Sequence, residues 1–261
     1  MYILSLTSLN DHHMEEYDLR MFLEKYRNQT VDFFRFNGNY GDALIWHGTM
    51  QLFNGLGIQI ANVDMNTAPL HDVLVIDGGG NFVDYYDDVR NFLKAKHSLY
   101  KEIVILPHTI YGFAQIEVLQ SLGSNTTIFC REAESARFVS SFAPNCRVYQ
   151  WHDCAFYNSI EKAPARGSRT LNAFRSDKES VRKTRPWRNI DISRKGNATM
   201  PLNKFIDKIK KYDRVNTDRL HVAIAGAMLG KEVMLYPNSY FKNKAVYEYT
   251  LKNFPNVNFA G

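Results

Sequence analysis

The chain has 261 residues, 45% hydrophobic and 23% charged, and its 32 Lys and Arg against 27 Asp and Glu leave a formal net charge of +5. Such a chain can bury a core without disulfides or a structural metal, and the composition excludes collagen, a disulfide knot and a mostly disordered polymer. The basic excess is modest and suits small anions at least as well as nucleic acid, which asks for a denser basic stripe.

Short apolar runs rich in β-branched and aromatic residues alternate with longer segments of helical spacing. In chain order they predict a strand at 2–6, a helix at 14–26, a strand at 31–36, a helix at 42–56 and strands at 58–63 and 73–76. A helix at 86–97, a strand at 103–106, a helix at 114–122, a strand at 127–130, a helix at 133–142 and a strand at 147–149 follow. The last third reads as strand 171–174, helices 202–211 and 218–229, strand 233–236, helix 244–254 and strand 257–259. The runs Val73-Leu74-Val75-Ile76 and Ile103-Val104-Ile105-Leu106 are apolar at every position, as in parallel strands covered by helices on both faces. The fold class is therefore α/β, built from βαβ units.

The texture changes near residue 160, which sets an expected division into 1–160 and 161–261. Within the second part, 176–199 carries seven Lys or Arg and four large apolar residues, Val181, Trp187, Ile190 and Ile192. The favoured reading is a solvated loop, and the sharper alternative is a basic lid over an anionic ligand. No run approaches the roughly 20 apolar residues that cross a bilayer, and the first residues lack a basic leader region, so the cytoplasm is the expected compartment. Cys130, Cys146 and Cys154 have no CxxC spacing, so a metal site is not expected.

Four loops carry candidate chemistry, most of them after an apolar strand, where open parallel sheets bind ligands. Asn37-Gly38-Asn39-Tyr40-Gly41-Asp42 offers backbone N–H groups at a helix start, with Asp42 as a possible cap; it is neither a P-loop nor a dinucleotide fingerprint. Asp77-Gly78-Gly79-Gly80-Asn81-Phe82 suits close approach by a ligand. Pro107-His108-Thr109 places His108 at a strand end as a possible acid or base, and Arg131-Glu132 closes the next strand with a guanidinium able to grip a carboxylate or phosphate. Thr217-Asp218-Arg219-Leu220-His221 opens an apolar helix with Arg219 and His221 in its first turn, where the helix dipole disfavours cations. Two cations placed there point to an anion between them and the helix end. Downstream, Asn238-Ser239-Tyr240-Phe241-Lys242-Asn243-Lys244 adds hydroxyl, amide and ammonium donors.

Taken in order, these segments resemble the polysaccharide pyruvyl transferase family. The matching residues are Gly38-Asn39-Tyr40-Gly41-Asp42, Gly78-Gly79-Gly80-Asn81-Phe82, Ile105-Leu106-Pro107, Arg131-Glu132 with Ser135, Asp153 with Ala155-Phe156, Asp218-Arg219-Leu220-His221, and Asn238-Ser239-Tyr240 with Lys244. The family often has Gln-Ser where this chain has His108-Thr109, and Gly where it has Val222. The resemblance implies two Rossmann-like domains in a GT-B-like arrangement with the cleft between them. It also implies transfer of pyruvate from phosphoenolpyruvate to two hydroxyls of a sugar, giving a cyclic ketal, with Arg219, Leu220 and His221 at the donor.

A donor with a phosphate and a carboxylate needs at least two cationic anchors, here Arg219 and Arg131, assisted by Lys244 and Ser239. Asn39, Gly79, Gly80, Asn81 and Asn238 complete the expected binding set. His221 is the first choice of proton donor and His108 the second; Asp42 is the expected proton acceptor, with Asp153 or Glu132 as substitutes. The donor carries its own activation, so no cofactor or metal is expected. The expected partners are phosphoenolpyruvate and a sugar or lipid-linked glycan, with peripheral contact to membrane-bound precursors and no nucleic acid. The competing readings are a glycosyltransferase using a nucleotide sugar and a non-catalytic carbohydrate- or anion-binding protein.

Overall fold

The computed structural model describes residues 15–164, 167–194 and 200–261. The strand expected at 2–6 lies outside the described residues. The elements are α1 (Leu19–Leu23), β1 (Thr30–Phe34), α2 (Tyr40–Leu56), β2 (Gln59–Val63), β3 (Val73–Ile76), β4 (Gly79–Val83), α3 (Asp88–Lys96) and β5 (Glu102–Tyr111). They continue with α4 (Ile116–Ser121), β6 (Thr126–Cys130), α5 (Ala133–Phe142), β7 (Arg147–Gln150), β8 (Thr170–Ala173) and α6 (Asn203–Lys210). The chain closes with β9 (Arg214–Thr217), α7 (Leu220–Met228), β10 (Glu232–Leu235), α8 (Lys242–Tyr249) and β11 (Val257–Phe259).

Two parallel sheets result. The first has the order β2-β1-β3-β5-β6-β7, with β4 also paired to β5, and the second has the order β11-β10-β9-β8. Val75 pairs with Val104 and Ile105 with Ile128, so the apolar runs occupy the sheet's middle and are buried on both faces. One apolar cluster lies between the first sheet and helices α3, α4 and α5, around Phe34, Phe92, Ile105, Leu119 and Val139. The other is shared by both sheets: α2 lies against α7, and the rings of Tyr40 and Phe205 stack 5.5 Å apart. Each fully buried Leu, Phe or Ile of these clusters contributes about 1.5–3 kcal/mol.

Three expectations are corrected. The glycine run at 78–82 is not a loop: Gly79–Val83 is strand β4, which continues the line of β3 beside a longer β5. Glycine has low strand propensity, which hid the pairing. His108 therefore lies inside β5, paired with Gly79 on one side and Cys130 on the other, rather than at a strand end. Strand β9, the centre of the second sheet together with β10, was missed because Arg214-Val215-Asn216-Thr217 has a single large apolar residue. The helix expected at 14–26 is a short α1 followed by a 3-10 turn at Glu24–Tyr26.

Candidate functional site

The carboxyl ends of both sheets face one cleft of about 110 Å³, lined by Asn39, Gly41 and Asp42 after β1, Gly80 and Asn81 of β4, Arg131 after β6, Arg175 after β8, Arg219, Leu220 and His221 after β9, and Lys242 after β10. Glu179 and Ser193, from the polar segment, line it too. Strand ends thus deliver five cationic or ionisable nitrogen groups to one place, with the α2 and α7 helix starts beside them.

Local chemistry fixes each wall. Asn39, rather than Asp42, is the N-cap of α2: its side chain accepts from Gly41 N at 2.7 Å, and Asp42 Oδ2 accepts from Asn39 N at 2.7 Å, closing a capping box. Arg219 is the N-cap residue of α7 and His221 stands in its first turn. A Cβ added to Gly41 would meet His221 Nδ1 at 2.6 Å, so the α2 start approaches this imidazole as only glycine allows. On its other edge His221 Nε2 lies 3.3 Å from Asp153 Oδ2.

Arg131 is 1% exposed. It donates from Nη1 to Asp153 Oδ2 at 2.6 Å and from Nε to Thr109 Oγ1 at 2.8 Å, while a Cβ on Gly80 would stand 2.7 Å from its Nη2. The glycine in β4 is the gap through which this guanidinium reaches the cleft. Burial works to raise the Asp153 carboxyl, yet the facing His221 and Arg131 hold it well below the usual carboxylate range.

The polar segment meets the site with its acids. Glu179 Oε2 accepts from Arg175 Nη1 at 2.7 Å and Lys242 Nζ at 2.6 Å, and Oε1 accepts from Tyr86 Oη at 3.1 Å. Asp191 accepts from Arg219 Nε at 2.9 Å and Nη2 at 2.6 Å in a bidentate fork. Asp177 takes Arg175 Nε at 2.6 Å and lies 2.9 Å from Arg219 Nη1. The segment at 176–194 is not merely solvated: Glu179 and Ser193 line the cleft, and Asp177 and Asp191 sit on the guanidiniums of Arg175 and Arg219. Its bases work elsewhere; Arg182 lies over the Phe174 ring and Arg185 donates to the Arg175 carbonyl. Burial raises the Glu179 carboxyl less than Lys242 and Arg175 lower it, so it stays ionised far into acid. Lys242 is pushed down to about 8 by burial, against the pull of Glu179.

Of the residues expected from sequence, Arg219, Leu220, His221, Arg131, Asp42, Asn39, Gly80 and Asn81 come together here. Lys244 does not: it is exposed, and Lys242, on another face of α8, takes the place in the cleft. Ser239 is exposed with its hydroxyl 3.2 Å from Tyr85 Oη, and Asn238 is tied to Glu179 and to Asn243 N, so neither lines the cleft. Gly79 lies beneath the Phe36 ring and is also outside the lining. His108 is fully buried and uncharged, lowered to about 3 by burial and by Arg131, with Nε2 against Asn81 Oδ1 at 2.9 Å. An imidazole so hard to protonate does not suit a proton donor. Glu132 caps α5 through Ser135 and lies outside the cleft lining. Arg175, Glu179 and Ser193 were missed, and Lys242 was read only as one donor of the 238–244 run; the signal for Arg175 was its position straight after an apolar strand, as for Arg131.

A sequence model described as polysaccharide pyruvyl transferase matches residues 39–240, which takes in every residue of the cleft wall from Asn39 to Arg219 and His221. This chain belongs to the polysaccharide pyruvyl transferase family. Among relatives, it is 24% identical over 272 residues to the Bacillus subtilis (strain 168) protein named "Putative pyruvyl transferase EpsO", covering 84% of each chain. Among solved structures, it is similar to an uncharacterized protein, KP1_0663, from Klebsiella pneumoniae subsp. pneumoniae NTUH-K2044, with TM-score 0.77 and 28% identity over 93% of this chain and 96% of that one. Family membership supports pyruvyl transfer onto polysaccharide as the general activity. Lys242 lies just beyond the matched region, which ends at Tyr240. Among the described residues no helix is long and apolar enough to cross a membrane.

Proposed function

We propose that this pyruvyl transferase family member takes pyruvate from phosphoenolpyruvate and sets it across two hydroxyls of a sugar in a polysaccharide or glycan precursor, forming a cyclic ketal. The observation that carries the reading is the convergence of Arg131, Arg175, Arg219 and Lys242 on one small cleft beside His221. Phosphoenolpyruvate carries a phosphate and a carboxylate on a three-carbon frame, and guanidinium groups recognise both by paired N–H donors. The two sheets are read as two units, 1–160 and 161–261, in a GT-B-like arrangement that leaves the donor between them.

In this mechanism Arg219 and Arg131 hold the two anionic groups. His221, kept in place through Nε2 by Asp153, protonates the methylene carbon from Nδ1, and positive charge develops on the adjacent carbon. A sugar hydroxyl attacks that carbon and gives its proton to Asp42. Phosphate leaves with the electrons of its C–O bond and takes that proton; the second hydroxyl closes the ring and its proton returns to His221. The donor supplies the activation, so the chain's residues bind, orient and move protons without an organic cofactor. The acceptor is a glycan or lipid-linked precursor handled on the cytoplasmic side of the membrane. Mass spectrometry of lipid-linked and aryl glycosides incubated with phosphoenolpyruvate tests the reading: a ketal adduct with release of phosphate is expected, and its absence across the panel overturns it.

A further inference from the structure

The three acids of residues 176–194 all lie on cleft cations, but they are held very differently. Asp191, 8% exposed, accepts from Ser176 N and Oγ at 3.0 Å each besides its fork to Arg219. Glu179, 3% exposed, joins Arg175, Lys242, Tyr86 and Asn238. Asp177 is 32% exposed, and its Oδ2 stands between two guanidiniums, 3.2 Å from Arg175 Nη2 and 2.9 Å from Arg219 Nη1. Beyond them, Asp177 Oδ1 accepts only from its local neighbour Glu179 N, at 3.2 Å, besides Arg175 Nε. The contact to Arg219 is an ion pair without hydrogen-bond alignment.

With Asp177 in place, Arg175, Arg219 and Lys242 face three carboxylates, which leaves this group of three no net positive charge. Turning the Asp177 side chain outward uncovers one positive charge. It strands no guanidinium, because Arg175 keeps Glu179 and Arg219 keeps Asp191. The swing gives up the 3.2 Å hydrogen bond from Glu179 N, and the freed carboxylate, already one-third exposed, goes to water.

We infer that the Asp177 carboxylate is a displaceable internal counter-ion occupying the oxyanion subsite between Arg175 and Arg219, and that a phosphate or carboxylate group of the donor exchanges with it. The inference rests on the donor reading above, and it assigns Arg175 a binding role. Asp191 and Glu179 are the fixed positioning residues that hold the guanidiniums for the exchange. An incoming group must outbid a carboxylate bridging two arginines, so the subsite selects a strongly charged oxyanion over a weak one.

Calorimetric titration with inorganic phosphate tests this on the full chain, with the folded fraction of each variant checked by circular dichroism. Removing the internal competitor in Asp177→Asn tightens phosphate binding about threefold to fivefold, the scale of one partly solvated ion pair. Asp177→Ala, which leaves no amide to hydrogen-bond Arg175, tightens it as well. Asp191→Asn weakens it, because Arg219 loses its fork. Unchanged or weaker phosphate binding in both Asp177 variants overturns the inference, as does tighter binding in Asp191→Asn. These outcomes are separate from the transfer reading: ketal formation can persist while the exchange fails, and tighter phosphate binding can accompany a chain that makes no ketal.

Discussion

Arg131 and His221 share a single carboxylate oxygen, Oδ2 of Asp153, at 2.6 and 3.3 Å. Asp153 is itself buried and caps the 3-10 turn at Cys154–Tyr157 by accepting from Ala155 N at 2.8 Å. One side chain at the end of the first sheet thereby positions both an anion anchor and the proposed proton donor on α7. Asp153→Asn leaves the buried Arg131 charge without a counter-ion, a loss on the order of 3–5 kcal/mol. The expected result is a markedly lower unfolding midpoint in urea and at least a tenfold loss of turnover. A variant of unchanged stability would show that Arg131 finds another partner.

The division of labour in the Arg219-Leu220-His221 segment is testable by separating binding from turnover. His221→Gln keeps a neutral, hydrogen-bonding side chain toward Asp153 and removes the proton, so phosphoenolpyruvate binding stays within about threefold while kcat falls on the order of 100-fold or more. Arg219→Ala raises the donor Kd and frees Asp191 as an uncompensated carboxylate. Titration calorimetry and initial rates on both variants make the comparison; near-normal kcat in His221→Gln removes this imidazole as the acid.

His108 gives the opposite expectation. With its imidazole lowered to about 3, first by burial and then by Arg131, it stays neutral from pH 4 upward. Its role is to hold Asn81 at the cleft wall through the 2.9 Å contact. His108→Gln lowers activity by no more than the loss of one buried hydrogen bond, about tenfold, and leaves both limbs of the pH–rate profile where they were. A displaced acid limb in that variant would make His108 a titrating participant.

How far the chain could be read in advance depended on the physical signal each residue carried. Fully apolar runs such as 73–76 and 103–106, alternating with segments of helical spacing, fit central parallel strands, so the α/β reading and the direction of the site were legible. The glycine strand β4 was not, because its reason is the close passage of Arg131 beneath Gly80, a contact between residues 51 positions apart. Lys244 was expected from the family resemblance, whereas α8 starts at Lys242 and brings that side chain to the cleft instead. The carboxylates of the polar segment were hidden by its net positive charge: composition sums over a segment, whereas the fold sorts its acids inward and its bases outward.

Asp77, at the end of β3, carries a pH dependence of folding that can be assigned by sign. Its carboxyl is buried and accepts from Thr49 Oγ1 at 3.0 Å and Gly78 N at 2.9 Å, both on Oδ1. Burial outweighs these bonds and raises it to about 7. The folded chain therefore holds a proton there between pH 4 and 7 that the unfolded chain releases near 3.9. Stability from this group is fully present below the unfolded value and is lost as pH rises through 7. Asp77→Asn keeps an oxygen to accept both hydrogen bonds and removes the titration. Urea unfolding at pH 4 and pH 8 is expected to give similar stabilities for variant and parent at the lower pH, and a variant more stable by on the order of 1–3 kcal/mol at the higher one. Equal stabilities at pH 8 would mean that the Asp77 carboxylate is solvated in the native chain; a variant weaker at both values would mean that the second carboxyl oxygen has a partner of its own.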